Sequence, residues 1–98
     1  MPEYKLEFHP EAIAEARAGY LWYLARSPLA ARAFLDEFDQ AIQRIHRSPL
    51  NWSPYSSDTR RYLIRRFPFF VVYRYSEDVI QVLAVAHARR RPGYWKTR

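Results

Sequence analysis

The spacing of apolar residues predicts a strand and then a helix at the start of the chain. Residues 4–8 (YKLEF) alternate apolar and polar side chains, as does a strand with one face on a core. Pro10 stands where a helix would begin, and an apolar stripe at helical spacing extends to about Arg26. The residues predicted to form this stripe are Ile13, Ala16, Tyr20 and Leu24.

A second helix is predicted directly after the first. Ser27 and Pro28 form a helix start, with a hydroxyl at the N-cap and proline at the first helical position. Pro49 disfavours further helix from the residue before it. Because so short a connector joins the two helices, we expect a tight antiparallel hairpin. The apolar stripe of the second helix is Leu35, Phe38, Ile42 and Ile45, widened by Phe34 and Ala41.

Three strands are predicted after a loop from Pro49 to Thr59. They cover approximately residues 60–66, 69–75 and 79–87, with a short hairpin turn between the last two. The run FFVVY (residues 69–73) is apolar without interruption, which is typical of a strand that is covered on both faces, and we expect it to be central. In the last strand, simple alternation places Ile80, Val82, Ala84 and Ala86 on one face and Gln81, Leu83, Val85 and His87 on the other.

These elements predict an α+β fold with the order β-α-α-β-β-β. A helical hairpin would pack on one side of a small, mostly antiparallel sheet. The 98 residues suffice for one core, so we expect residues 1–98 to form a single domain. No long apolar run or export signal is visible, so we expect no membrane partner. The absence of cysteine is compatible with a reducing cytoplasm, where we expect the protein to act.

Charge is distributed unevenly along the chain. Residues 1–59 contain six Lys and Arg against eight Asp and Glu, whereas residues 60–98 contain ten against two, which gives the net charge of +6. This asymmetry points to an anionic partner for the basic part, such as nucleic acid, the ribosome or an acidic protein segment. The alternative is a solvated basic face without a dedicated ligand.

The second half of the first helix carries more bulky apolar side chains than one buried stripe requires. Leu21, Trp22 and Tyr23 follow one another and surround the helix at this point. Either a partner covers this surplus, or Trp22 packs on a neighbouring loop.

Five segments of the chain match a known family in their order and spacing. They are FHPEA (residues 8–12), FLDEFDQAI (34–42), the proline-bearing loop after Ile45, RRFPFFVVYR (65–74) and VLAVAHARRRPGYW (82–95). Together they resemble the RelE/ParE superfamily of toxins from bacterial type II toxin-antitoxin modules, in its plasmid-stabilisation branch. The resemblance covers nearly the whole chain, and it implies a toxin that arrests growth and a small antitoxin that neutralises it by wrapping it.

The resemblance implies two activities, of which the first is cleavage of mRNA on the ribosome. Attack by a 2′-hydroxyl needs a proton acceptor, a proton donor for the leaving oxygen, and cations on the phosphate. His87 suits acid–base chemistry near neutral pH, whereas Tyr94 would need its pKa lowered by nearby arginines. Arg89 followed by Tyr94 resembles the ribonuclease branch, but the lysine pair of some of those enzymes is absent. The candidate catalytic residues are Arg61, Arg65, His87, Arg89 and Tyr94.

The second implied activity is inhibition of DNA gyrase without hydrolysis. A histidine that closes the last strand and precedes arginines resembles this branch, with Arg89, Arg90, Arg91 and Trp95 as target contacts. The only carboxylates of the basic part belong to the predicted turn after Tyr75, so no convincing general base is present, and the residues slightly favour this hypothesis.

Simpler structural roles remain open for the same side chains. The alternative for His87 is a cap that hydrogen-bonds a backbone carbonyl at the strand end. Pro92 and Gly93 allow the chain to turn, so Tyr94 and Trp95 are also candidates to fold back over the sheet edge or a helix.

A third hypothesis is a nucleic-acid-binding domain without toxicity. It would use aromatic residues such as Tyr62, Tyr73 and Tyr75 to stack on bases. Strand alternation places Tyr73 and Tyr75 on the predicted core face with Phe69 and Val71, so this hypothesis ranks last.

The expected partner is a small, acidic and amphipathic antitoxin that folds as it binds. We expect it to cover Leu21 and Trp22 and to place acidic residues near Arg65 and Arg74. The three histidines lack the spacing of metal ligands, so neither a metal site nor a cofactor is predicted.

Overall fold

The computed structural model describes residues 4–98 and contains one sheet with a helical hairpin on one face. The sheet has five strands in the order β1-β5-β4-β3-β2, in which β1 is parallel to β5 and all other neighbours are antiparallel. The elements are β1 (Lys5–Phe8), α1 (Pro10–Leu24), α2 (Pro28–Arg47), β2 (Ser53–Pro54), β3 (Thr59–Leu63), β4 (Phe69–Ser76), β5 (Val79–His87) and a 3-10 helix (Tyr94–Thr97).

The predicted fold class is confirmed, with one additional strand. The loop predicted from Pro49 to Thr59 contains β2, whose two residues pair with Arg60 and Arg61 of β3. The helix start at Ser27 is also confirmed, because its Oγ accepts a hydrogen bond from the backbone N–H of Ala30 (3.2 Å). Neither α1 nor α2 has the length and apolarity that a membrane span requires, and residues 4–98 contain no other α-helix.

Strand β4 is the middle strand of the sheet, as its apolar run predicts. Val71 and Tyr73 belong to the core beneath the helices, whereas Val72 belongs to a second cluster on the opposite face. All three side chains are fully buried. The Tyr73 hydroxyl donates a hydrogen bond to the Pro49 carbonyl (2.6 Å), which satisfies its buried polar group and anchors the loop after α2.

A β-bulge changes which side chains of β5 face the helices. Val72 pairs with Ala84 but Tyr73 pairs with Val82, so Leu83 is an additional residue in β5. Val82 and Val85 consequently both pack under the helices, while Ala84 faces the opposite cluster. The prediction from simple alternation is therefore wrong from Ala84 onward, because the bulge shifts the phase of the strand by one residue.

Helix α1 buries small residues rather than the predicted apolar stripe. Ala12 and Gly19 are buried, whereas Ile13 and Leu24 are 56% and 39% exposed. A Cβ atom on Gly19 would lie 3.0 Å from Cζ of Phe34 in α2. The predicted stripe is thus wrong at Ile13 and Leu24, because the close approach of the two helices selects the face with the smallest side chains. In α2 the prediction holds for Phe34, Ala41 and Ile45, while Leu35 is exposed.

We predict that Gly19→Ala destabilises the protein although alanine is the better helix former. The ring of Phe34 has little room to move, because Tyr23, Phe67 and Phe69 surround it at centroid distances of 5.4, 5.4 and 5.3 Å. Overpacking of this kind costs roughly 1–3 kcal/mol, against a gain of about 1 kcal/mol in helix propensity. Urea unfolding measures the difference, and adding Phe34→Leu should recover part of the loss through direct coupling. A Gly19→Ala protein more stable than the parent would contradict the close contact.

Candidate functional site

Residues 88–98, here called the arm, fold back over the sheet face opposite the helices. Gly93 has φ +88°, a left-handed conformation that favours glycine and that reverses the chain before the 3-10 helix. Trp95 is only 2% exposed, and its ring stacks on that of Tyr55 with centroids 5.6 Å apart. The fold-back alternative is confirmed for Trp95, and its predicted role as a surface contact for the target is not available in this conformation. The buried residues that cluster with Trp95 are Val72, Leu83, Ala84 and Ala86.

Glu15 of α1 is the acidic centre of this region. Its Oε1 accepts hydrogen bonds from the Val85 backbone N–H (3.0 Å) and from Nη1 of Arg98 (2.9 Å). Its Oε2 accepts from Nη2 of Arg98 (3.2 Å) and Nη1 of Arg90 (3.3 Å). Arg98 also donates to the Leu83 carbonyl (2.9 Å). One carboxylate therefore joins α1, the edge of β5 and two arginines of the arm.

Sequence analysis missed Glu15 because it considered only the carboxylates of the basic part of the chain. The available signal was its position on α1. Glu15 lies three residues after Ala12 and four before Gly19, so it shares their inward face. A carboxylate on the buried side of a helix needs a cationic or N–H partner, and the excess of arginine near the end of the chain offered one.

Burial and ion pairing act against each other on the pKa of Glu15. Burial raises it, but hydrogen bonds from Arg98 and Val85, together with the neighbouring Tyr94 hydroxyl, outweigh this effect, and the pKa is lowered. The hydrogen bond to Glu15 likewise raises the pKa of Arg98. Glu15 is consequently an anion held by its partners and not a free general base.

Tyr94 lies beside this carboxylate with its hydroxyl buried. Burial and the neighbouring Glu15 raise its pKa, while Arg90 and Arg98 lower it by less, so that the pKa is raised strongly overall. The lowered pKa that a catalytic Tyr94 would need is therefore absent, although the arginines act in that direction. The arginines are present, with guanidinium carbons 3.7 and 5.0 Å from the ring centroid, but desolvation and an acidic neighbour dominate.

His87 caps the end of β5 through its ring. Its Nδ1 accepts a hydrogen bond from the Arg89 backbone N–H (3.1 Å), so the neutral imidazole carries its proton on Nε2. The ring also meets the ring of Phe69 edge to face at 5.0 Å. The capping alternative is confirmed, although the cap binds a backbone N–H and not the expected carbonyl.

The other candidate catalytic residues lie apart from one another. Arg61 lies on the sheet face opposite the helices, with its guanidinium over Tyr55 (4.5 Å) and Phe70 (4.8 Å). Tyr55 and Trp95 connect it to Tyr94 through ring contacts. The side chain of Arg65 is exposed in the connection between β3 and β4, and those of Arg89 and Arg91 are exposed after β5. The structure therefore groups His87, Arg90, Tyr94 and Glu15 around the end of β5 and leaves Arg61 and Arg65 outside this group.

An apolar groove of about 420 Å³ lies between α1 and the adjoining ends of β4 and β5. Leu21 and Trp22 are 46% and 53% exposed, so the predicted apolar surplus of α1 is at the surface. Trp22 forms one wall; the guanidinium of Arg26 lies 3.6 Å from its ring centroid, and the ring of Tyr23 meets it edge to face at 5.0 Å. Residues that line the groove include Ala18, Gly19, Trp22, Tyr23, Phe69 and His87.

The four predicted antitoxin contacts do not share one surface. Arg65 is exposed in the connection between β3 and β4, which also contains Phe67, whose ring packs on Tyr23 with centroids 5.0 Å apart. Arg74 lies five residues along β4 from Phe69, which is about 16 Å. Its Nε is 2.8 Å from Oδ2 of Asp58, so this arginine already has an acidic partner.

Comparison with solved structures identifies the class of fold. A chromosomal ParDE system from P. aeruginosa superposes with a TM-score of 0.80 at 18% identity and covers 91% of this chain and 100% of that chain. The isolated RelE toxin of E. coli gives a TM-score of 0.61 at 19% identity, over 96% of this chain and 94% of that one. The architecture is thus the one shared by the RelE and ParE toxins.

Sequence comparison then identifies the family. Residues 6–92 match the model of the ParE toxin of the type II toxin-antitoxin system parDE, and the chain belongs to this family. Toxin ParE2 of Mycobacterium tuberculosis is 32% identical over 55 residues, which are 56% of this chain and 52% of that protein. The aligned part therefore spans about half the length of this curated relative.

We predict that the stabilising effect of Glu15 disappears in acid. Because its pKa is lowered in the folded state, its contribution is fully present above the ordinary carboxyl pKa and is lost as the pH falls through the lowered value. Glu15→Gln should cost roughly 2 kcal/mol of unfolding free energy at pH 7, the scale of hydrogen bonds to charged groups. The cost should shrink as the pH falls below 4.

Urea unfolding of both proteins between pH 7 and pH 3 measures this difference. Glu77→Gln, at an exposed carboxylate in the turn between β4 and β5, is the matched control and should show little effect at any pH. A cost of Glu15→Gln that does not change with pH would argue against an ionised carboxylate at this position.

Proposed function

We propose that this protein is the toxin of a type II toxin-antitoxin system, that it arrests growth by inhibiting DNA gyrase, and that a small antitoxin neutralises it. The family assignment supports the toxin role. The choice of gyrase rests on one observation, the burial of the Tyr94 hydroxyl beside the Glu15 carboxylate, which raises the pKa of this phenol. A phenol with a raised pKa is poorly suited to accept a proton near neutral pH.

The neighbouring groups add to this argument. Nδ1 of His87 is engaged by a backbone N–H, and the Glu15 carboxylate is engaged by two arginines. The groups around the end of β5 therefore hold one another in place. The exposed side chains of Arg89 and Arg91 remain available to contact an acidic protein surface, and arginine is among the residues that most often dominate interfaces. If gyrase is inhibited by binding alone, these arginines need only contact the target and take no part in proton transfer.

Cleavage of mRNA is the second candidate, and the face opposite the helices is the feature that favours it. Tyr55, Trp95 and Tyr94 form a row of aromatic rings in contact, with Arg61 over Tyr55 at one end and Arg90 over Tyr94 at the other. The cations suit a phosphate backbone, and the half-buried rings of Tyr55 and Tyr94, unlike the buried ring of Trp95, suit contact with unstacked bases. A general acid–base pair is the part that this surface lacks in the conformation described.

The non-toxic nucleic-acid-binding hypothesis stays last. Tyr73 is fully buried, and Tyr62 is 8% exposed with its hydroxyl accepting a hydrogen bond from Nη1 of Arg44 (2.7 Å). Neither ring is available for stacking on bases.

We predict that expression of the toxin alone stops DNA synthesis before protein synthesis. The protein is expressed from a tightly repressed promoter, and thymidine and methionine incorporation are followed in parallel from the moment of induction. Arg89→Ala combined with Arg91→Ala should abolish the effect, whereas Tyr94→Phe should retain it because only a buried hydroxyl is lost. Arg47→Ala, at an exposed arginine in the last turn of α2, controls for the loss of charge.

An early fall in methionine incorporation that Tyr94→Phe prevents would move the assignment to the ribonuclease candidate. Unimpaired growth with the folded wild-type protein would contradict toxicity itself. Both candidate targets are found in the cytoplasm, which is where we propose that the toxin acts.

We further propose that the antitoxin seats an apolar side chain or helix face in the groove beside Trp22. The groove is apolar, and two basic residues border it, with Arg26 on Trp22 and Arg90 in the lining. An acidic amphipathic segment matches both properties.

Trp22→Ala should weaken antitoxin binding by roughly 2 kcal/mol, about 30-fold, as expected for an aromatic residue that becomes buried in an interface. Leu50→Ala, at a similarly exposed leucine after α2, should leave the affinity unchanged. Titration calorimetry with the co-purified antitoxin at two salt concentrations measures both effects, and affinity should fall as salt rises. An affinity that depends on neither Trp22 nor salt would contradict this site.

A further inference from the structure

Half of the β5 edge that faces α1 lacks a strand neighbour. Strand β1 pairs with β5 only from Val79 to Val82, whereas β5 continues to His87. The exposed peptide groups of such an edge need other partners. Glu15 accepts from the Val85 N–H, and Arg98 donates to the Leu83 carbonyl. These two side chains also bind each other with two hydrogen bonds, and we call the pair the clasp.

The remaining contacts of the arm hold it less securely. Trp95 contributes apolar burial, but its Nε1–H is buried without a hydrogen-bond partner among the described residues. The Tyr94 hydroxyl is buried beside Glu15 without a well-formed hydrogen bond. A buried polar group that lacks a partner opposes the burial that put it there. The clasp therefore supplies the polar anchoring of the arm that Tyr94 and Trp95 do not provide.

The clasp also determines where the basic residues of the arm lie. Arg90 binds the same carboxylate, and its guanidinium is stacked on Tyr94. The exposed Arg89 and Arg91 flank it directly. If the clasp opens, the burial of Trp95 is the main remaining anchor beyond Gly93, and the three arginines lose the carboxylate that gives them a common orientation.

We propose that Glu15 is a positioning residue, whose clasp with Arg98 holds the arm on the sheet and thereby orients the arginines that contact the target. The docked arm is a property of the chain itself, and only its importance for toxicity rests on the proposed function. The assignment adds a residue of α1, far from the basic part of the sequence, to the determinants of target binding.

Amide hydrogen exchange measured by NMR on the full chain tests the clasp. In Glu15→Gln, the amides of residues 94–98 and of Leu83 and Val85 should exchange about tenfold faster or more, the factor expected when hydrogen bonds to a charged group are lost. The amides of Val71 and Val72 in β4 should change no more than in Glu11→Gln, an exposed carboxylate of the same helix. Arg98→Lys keeps the charge but not the paired geometry, and it should give an intermediate acceleration.

Exchanging the two residues of the clasp separates the two roles of Glu15, which are the ion pair with Arg98 and the hydrogen bond from the Val85 N–H. In Glu15→Arg with Arg98→Glu, the ion pair is restored but an arginine accepts no hydrogen bond from Val85. The arm amides should recover their slow exchange, while the Val85 amide should stay fast. Unchanged arm exchange in Glu15→Gln would overturn the proposal, as would an equal acceleration in β4, which would show that Glu15 stabilises the whole domain.

Growth assays separate this proposal from the proposed function. Glu15→Gln should arrest growth less than wild type and Glu11→Gln as much as wild type. If the wild-type protein does not arrest growth, the proposed function fails, and the exchange data still decide whether the clasp exists. If the arm is released in Glu15→Gln and toxicity is undiminished, the orienting role of the clasp is overturned.

Discussion

A difference in strand length constrains much of this molecule. Strand β1 has four residues and its parallel neighbour β5 has nine, so β5 outlasts its partner by about half its length. A helix crosses this region in place of a strand, and a helix has no free backbone groups along its side with which to pair. Side chains must therefore complete the hydrogen bonding, which is why an acidic residue is found on the inward face of α1. The position of the arm and the depth of the groove both depend on the presence of a helix, rather than a strand, beside the second half of β5.

The features that local pattern controls were predictable from the sequence. Pro10 and Ser27 mark helix starts because caps and fixed φ angles act within one turn. The central position of β4 was predictable because burial on both faces removes the alternation of polar residues. The bulge at Leu83 was not, since no glycine or polar residue marks it in the run VIQVLAVAH. The stripe of α1 was misjudged because packing against Phe34 selects for small side chains rather than for large apolar ones.

The site was only partly predictable, and the reason is distance along the chain. The basic cluster and the turn at Gly93 are local features, and their existence follows from composition. The carboxylate that organises them is separated from Arg98 by more than eighty residues and lies in a helix with no net basic character. The pKa of Tyr94 was also determined by a residue distant in sequence. Arginines close to Tyr94 in sequence suggested a lowered pKa, but burial and an acidic neighbour from α1 reversed the direction. Environment outweighed proximity in sequence.

The unpaired segment of β5 has a further consequence for the behaviour of the protein in concentrated solution. An open sheet edge with an apolar sequence is a template on which the edge of another molecule can add, and such addition leads to aggregation. The Glu15–Arg98 pair occupies the Leu83 carbonyl and the Val85 N–H, which an added strand would need. An added strand would also meet two ionised side chains there. Two residues that cover the end of one strand thus remove a place at which two molecules could pair edge to edge.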